Sequence, residues 1–336
     1  MNRSSGFRCA LIAASTALAL PAAALAQTSV TLAGLLDISA GQSKPVGNPD
    51  KTWIVDNGQM TTSWFGVSGS EDLGGGLSAV FTLQSFMRAD TGASGRFGAD
   101  TFWARNAFVG LSSSSFGRVT IGRNTTPFFV TTLSFNPFGD SFGYSPSIRH
   151  YFTSAGGIST LTGDSGWSDS VLYTSPKLGG ATLQLFVAAA EAGSNGRNHG
   201  VNLRWSAGAF DSAFSWQDVK KDGATAVADT KSWQGAASYD FGAAKLFGQF
   251  GNVANKTTGN EYDIAGIGAS VPVGNGKVLA QWGQIKPETG AKRKTFSAGY
   301  DYFLSKRTDL YAVAMSDKVD GLSNGSAFSI GVRHRY

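Results

Sequence analysis

Charge is scarce in this chain: 15% of its residues are Asp, Glu, Lys or Arg, where a soluble chain carries about a quarter. Cysteine is nearly missing. The single one, Cys9, lies in an N-terminal export segment, so the exported chain has no disulfide. No later stretch approaches the ~20 apolar residues that a membrane helix needs. There are three histidines, with no His/Asp/Glu spacing of a metal site and no Gly-x-Ser-x-Gly elbow. The glycine-rich Gly74-Gly-Gly76 lacks the lysine of a phosphate loop. The net charge of +5 is small and no basic run accompanies it, which argues against nucleic acid as a partner. These absences leave no cofactor implied and no enzyme class favoured.

The export segment is legible in its three parts. Arg3 and Arg8 supply a charged start, Ala10 to Leu20 an apolar middle, and Ala24-Leu25-Ala26 a small-x-small cleavage site. Residues 1–26 are therefore expected to be a cleaved signal peptide, with residues 27–336 forming one domain.

What the chain does have is glycine (44 residues), aromatics (12%) and alternation. The last strand shows it best. Phe328, Ile330, Val332, His334 and Tyr336 share one parity, while Ala327, Ser329, Gly331, Arg333 and Arg335 share the other. Alternate strand residues point to opposite faces, so one face is apolar and aromatic-ended and the other small, polar and basic. The same pattern recurs near 28–39, 60–71, 77–88, 101–112, 117–123, 168–176, 181–190 and 199–207. It continues near 212–220, 231–241, 244–254, 262–271, 277–286, 294–303, 308–316 and 326–336. About sixteen strands with short turns at one rim and longer connections at the other describe a transmembrane antiparallel β-barrel. A secreted β-sandwich shares the alternation, but too few charges are available here to coat its outer faces.

The longest connection runs from Asn124 to about Ser168 and is rich in Phe and Tyr. A loop of this length inside a compact fold is usually functional, and its aromatics need a surface to pack on. A barrel of about sixteen strands has room for such a loop in its lumen. Ser147 near His150 could be pressed into hydrolytic service, but nothing else in the sequence supports it.

Several stretches resemble the trimeric general porins of Gram-negative outer membranes, in particular their β-proteobacterial branch. They are Gly66-Val-Ser-Gly-Ser-Glu-Asp-Leu-Gly-Gly-Gly-Leu77, Ala107-Phe-Val-Gly-Leu-Ser112, Val119-Thr-Ile-Gly-Arg-Asn124 and Ser170-Val-Leu-Tyr-Thr-Ser-Pro-Lys-Leu-Gly-Gly180. Leu304-Ser-Lys-Arg-Thr-Asp-Leu-Tyr-Ala312 and Gly331-Val-Arg-His-Arg-Tyr336 complete the set, in family order. The resemblance implies an outer-membrane barrel with its third loop folded inward, acting as a passive channel for small hydrophilic solutes and ions. Its expected partners are further copies of itself in a homotrimer, outer-membrane lipid and lipopolysaccharide.

The resemblance also assigns residues. Pro137-Phe-Gly-Asp140 matches the tip of the third loop, and Asp140 is the only acid between Asn124 and Leu161. Arg105 matches a family pore arginine. Trp64 and Thr174 stand where the family tends to place basic groups. Arg88, Arg118 and Arg204 have lumen parity and are expected to substitute, giving a weak anion preference. Arg123 shares parity with Val119 and Ile121 and so faces outward, where lipid would penalise it by roughly 2–4 kcal/mol near mid-membrane. It is expected to meet an acid such as Asp90 or Asp100 of the second loop, at a subunit interface. Two alternatives are a substrate-specific channel whose aromatic loop forms a binding track, and an adhesin-like β-protein with no pore.

Overall fold

The computed structural model describes residues 28–153, 161–189, 197–220 and 229–336; the expected signal peptide lies outside them. The described strands are β1 (Ser29–Lys44), β2 (Thr52–Asn57), β3 (Trp64–Gly74), β4 (Leu77–Arg88), β5 (Ala93–Ser94) and β6 (Asn106–Ser113). Next come β7 (Gly117–Thr125), β8 (Gly166–Thr174), β9 (Ala181–Ala188), β10 (Asn198–Ala207), β11 (Phe210–Lys220) and β12 (Asp229–Asp240). The last are β13 (Lys245–Asn255), β14 (Asn260–Val273), β15 (Gly276–Pro287), β16 (Arg293–Phe303), β17 (Thr308–Val319) and β18 (Gly325–Arg335). Helices α1 (Pro127–Ser134) and α2 (Pro146–Phe152) lie between β7 and β8.

All neighbouring strands run antiparallel, and β18 returns to pair with β1, so the sheet closes on itself. Closure removes the unpaired edge that a bilayer would not tolerate. At the seam Tyr336 and Gly34 exchange both backbone hydrogen bonds, at 3.1 and 3.2 Å. The eighteen strands make sixteen staves. β2 and β3 share one stave, because β1 pairs with β3 below and β2 above. The two-residue β5 pairs with the end of β4 on the side of β6 and shares that stave.

The alternation sorts as the sequence requires. Leu32, Ile121, Ile267 and Ile330 are exposed on the outside, while Ser215, Ser232, Gln234 and Ser297 are buried within. Tyr173, Trp205, Tyr239, Tyr300 and Tyr302 sit near the rim of short turns, where aromatic rings suit the membrane interface. Gly74, Gly75 and Gly76 make the β3–β4 turn at φ +84°, +63° and +77°, a region that side-chained residues disfavour.

Two expected boundaries move. The expected strand near 60–71 starts only at Trp64, and Thr52–Asn57 is an additional strand. The expected strand near 101–112 starts at Asn106, leaving Arg105 outside the ladder.

The third loop enters the barrel and builds a core against the inner wall. Thr126 and Ser145 cap the two helices by accepting hydrogen bonds from the Phe129 and Ile148 amides, at 3.1 and 3.3 Å, and each helix starts with proline. Phe128, Phe129, Ile148, Tyr151, Phe152 and Leu161 pack on Val253, Ile264 and Ile285 of β13, β14 and β15. Phe135 packs on Ala213 and Ala236. Polar wall groups take up the backbone of α1: Gln234 Nε2 donates to the Phe128 carbonyl at 2.7 Å and Gln249 Nε2 to that of Thr132 at 2.8 Å. Glycines on the wall allow the approach. A Cβ at Gly268 would lie 2.6 Å from Pro137 Cδ, and one at Gly283 would lie 2.9 Å from Pro146 Cβ.

A charged constriction at the loop tip

Arg105 reaches the lumen by leaving the ladder. Its parity matches Ala107, which faces outward beside Arg123, but the backbone bends before β6 begins. The guanidinium then lies over the Trp64 ring, 4.2 Å from its centre, and donates to Gln84 Oε1. Trp64 thus stands under the arginine and offers it the flat, electron-rich face of a neutral ring.

Asp140 sits opposite on the loop. The Thr61 hydroxyl donates to its Oδ1 at 3.2 Å, and Arg333 NH1 donates to the same hydroxyl at 3.2 Å. Burial pushes the Asp140 carboxyl above the usual range, and the positive charge of Arg105 pulls it back only in part. The loop acid is therefore a weak one.

The other expected pore residues divide. Arg88, at the outer end of β4, donates to the Ser94 carbonyl at 3.4 Å. It lines an outer vestibule of about 600 Å³ together with Arg96 and Arg149. Arg118 lies toward the opposite mouth on β7, 5.3 Å above the Phe108 ring and directly across from Thr174. Among the described residues, Arg88, Arg105 and Arg118 have no carboxylate within ion-pair distance. Arg204 does: it is paired to Asp211 and lies 5.4 Å above the Phe135 ring, so its charge is spent locally.

Arg123 faces outward as its parity requires, and within its own chain it meets Asp164 rather than Asp90 or Asp100. It donates to Asp164 Oδ2 at 2.6 Å, to the Ala104 carbonyl at 2.6 Å and to Ser168 at 3.1 Å. Asp100 is held instead by Arg96, at 2.8 Å, and Arg96 also reaches Asp164 at 2.8 Å. Asp90 lines the vestibule near Asp56. The second and third loops are thus tied to the wall within one chain. Burial would raise the Asp164 carboxyl, but Arg96 and Arg123 overcome it and hold it far below the usual range.

Ser147 and His150 do not form a pair. Ser147 accepts from Gln281 Nε2 at 2.6 Å, and His150 Nε2 shares a hydrogen bond with Thr295 at 2.8 Å, so both fasten α2 to the wall.

Two ionic clusters on the inner wall escaped the sequence reading. Arg333 joins Asp301 at 2.8 Å and Asp309 at 2.7 Å, with Arg335 completing the group. Arg293 grips Asp317 through both oxygens at 3.0 and 2.8 Å, and Arg149 adds a third contact at 3.3 Å. Lumen parity could have found these arginines, but strand register was needed to find their acids.

A closed barrel with an inward loop and a charged waist is an arrangement that known proteins share. A family model described as Gram-negative porin matches residues 10–322. The chain belongs to the Gram-negative porin family. An outer membrane porin protein of Bordetella pertussis is 28% identical over 97% of this chain and 99% of its own length. Outer membrane porin protein 32 of Delftia acidovorans is 29% identical over 94% of this chain and 90% of its own. Among solved structures, an anion-selective porin from Comamonas acidovorans superposes with a TM-score of 0.79 at 25% identity, covering 92% of this chain and all of that one. The trimer form of OmpT from Vibrio cholerae shares the fold alone, with a TM-score of 0.66 at 15% identity. The porin is thus an outer-membrane channel for passive diffusion, and its lumen residues act on what passes through rather than on bonds within it.

Proposed function

We propose that the porin passes small hydrophilic anions in preference to cations, and does so as a homotrimer. The observation that carries the preference is a charge imbalance along one flank of the channel, with Arg105 at the waist. Among the described residues, Arg88, Arg105 and Arg118 stand on one flank without a carboxylate within ion-pair distance, and burial raises the loop-tip acid Asp140 above the usual carboxylate range. In a narrow passage beside low-dielectric walls, such fixed charges matter more than the net charge of the chain. The similar porin from Comamonas acidovorans is anion-selective.

The mechanism needs no energy source. Solutes enter the outer vestibule, are sieved where the loop tip meets Trp64 and Arg105, and leave past Arg118. The alternative of an aromatic binding track loses its support, because Phe128, Phe129, Phe135, Phe138, Tyr144, Tyr151 and Phe152 are all buried against the wall. A trimer is supported by small and apolar outer positions on the first staves, such as Gly34, Gly69, Val30 and Leu32. Lipid and lipopolysaccharide would then meet the remaining outer face.

Single-channel recording in a planar bilayer tests both parts. Conductance steps grouped in threes and an anion-signed reversal potential in a salt gradient are the expected results. A cation-signed potential overturns the selectivity, and single ungrouped steps overturn the trimer.

A further inference from the structure

The wall of this barrel is spliced between β2 and β3. Leu35 pairs with Trp64 and Ile38 with Asn57, so residues 58–63 stand opposite Leu36 and Asp37 alone. Six residues against two leave four in excess. Because four is even, the parity of every following strand is preserved. The excess does not bulge outward into lipid. It turns in at Gly58, at φ +71°, and Met60 becomes almost fully buried among Phe138, Tyr144, Leu279, Tyr311 and Val313.

One lumen carboxylate organises this segment. Asp37 Oδ2 accepts from the amides of Met60 at 2.8 Å and Thr61 at 2.7 Å, and Oδ1 accepts from the Tyr311 hydroxyl at 2.6 Å. Its backbone is engaged as well: Gly58 N donates to the Asp37 carbonyl at 2.9 Å, and Asp37 N donates to Ser63 Oγ at 2.9 Å. The segment in turn holds the third loop. The Gln59 carbonyl accepts from Ser141 Oγ at 2.6 Å and from Gly143 N at 3.2 Å, while Thr61 donates to Asp140.

We infer that residues 58–63 are a second constriction element, and that Asp37 is the positioning residue that sets it against the loop tip. The aperture is then fixed by two inward segments latched to each other. The placement of Asp140 opposite Arg105 depends on a strand-borne carboxylate that faces neither. This inference rests on the channel reading above and adds a residue to it.

Excision of Gln59–Thr62 tests it, because it leaves Gly58 and Ser63 to face Asp37 and Leu36 in an unbroken ladder. Single-channel conductance above wild type is expected from pores that retain heat-modifiable migration on gels. Should the excised chain fail to fold, Asp37→Ala decides: conductance should rise and open-channel noise increase. Asp37→Asn, which keeps a side-chain oxygen for both amides, should fall between Asp37→Ala and wild type. Wild-type conductance and noise in folded Asp37→Ala pores would overturn the inference. The sign of the wild-type reversal potential judges the selectivity separately, so the two failures are distinguishable.

Discussion

Arg105→Gln is the sharpest test of charge selection at the waist. A unit charge about 4 Å from a passing ion in water contributes about 1 kcal/mol, and more where the walls exclude water. The anion loses that stabilisation and the cation is relieved of an equal repulsion. The permeability ratio can therefore move by up to about thirtyfold, since about 1.4 kcal/mol corresponds to a factor of ten. Among the described residues Arg105 has no carboxylate within ion-pair distance, and its guanidinium is engaged with Gln84 and the Trp64 ring. The assay is the reversal potential across a salt gradient, measured at low and at high mean salt. Screening extends over about 10 Å at 0.1 M but only about 3 Å at 1 M, so the shift must shrink as salt rises. Arg105→Lys keeps the charge without the planar stacking and should retain most of the selectivity. An unchanged potential in folded Arg105→Gln pores at low salt would refute the reasoning. A shift of equal size at high salt would point to shape rather than charge.

Asp140→Asn removes the opposing charge and should raise anion preference. The effect should be smaller than that of Arg105→Gln, because burial already weakens the acid; reversal potentials of the two variants compare directly. Asp164→Asn should lower the temperature at which the folded form is lost on gels, because Arg96 and Arg123 each lose a charged acceptor, at about 1.5–3 kcal/mol per bond. The depressed Asp164 carboxyl contributes stability that is complete above the ordinary carboxylate range near pH ~4 and is lost as pH falls toward its own much lower value. Wild-type thermal stability should therefore decline only on strong acidification, and the decline should be shallower in Asp164→Asn. Gly268→Val should lift the loop off β14, since even a Cβ there would lie 2.6 Å from Pro137. Lower conductance from folded pores is the expected result.

The outer surface was the legible part of this chain. Lipid demands apolar side chains at every second residue, so strands such as β12, β13 and β18 announce themselves. The inside was harder because two different rules operate there. Where the lumen is wet the inward residues are polar, but beneath the third loop Val253, Ile264, Leu279 and Ile285 are inward and apolar, and the alternation fades into continuous hydrophobicity. The splice at 58–63 was missed for a related reason. Met60 and Thr61 fit a strand pattern locally, and only the Asn57-Gly58 pair hinted at a turn. Among the site residues, Arg105 lies over the Trp64 ring although its parity points outward, because the bend before β6 overrides the count. The pairing of Arg204 with Asp211, and of Arg123 with Asp164 rather than Asp90 or Asp100, depends on register and loop course that no spacing encodes.

The waist of this porin is made by the same forces that fill a soluble core. Burying a large apolar side chain contributes roughly 1.5–3 kcal/mol, and the third loop commits Phe128, Phe129, Phe135, Tyr151 and Phe152 to the wall. Hydrogen bonds from Gln234, Gln249, Gln281 and Tyr144 then fix its register, the last through Ser329 at 2.6 Å. A loop held by that many independent contacts is a fitted part rather than a gate. Selectivity can therefore be altered by changing the few charges that remain outside this core, with the aperture left intact. Arg88, Arg105 and Arg118 are on a flank that the loop does not cover. Their substitution leaves the aromatic packing of the third loop untouched, and this separation of a rigid scaffold from a sparse charged face makes the electrical predictions independent of the structural ones.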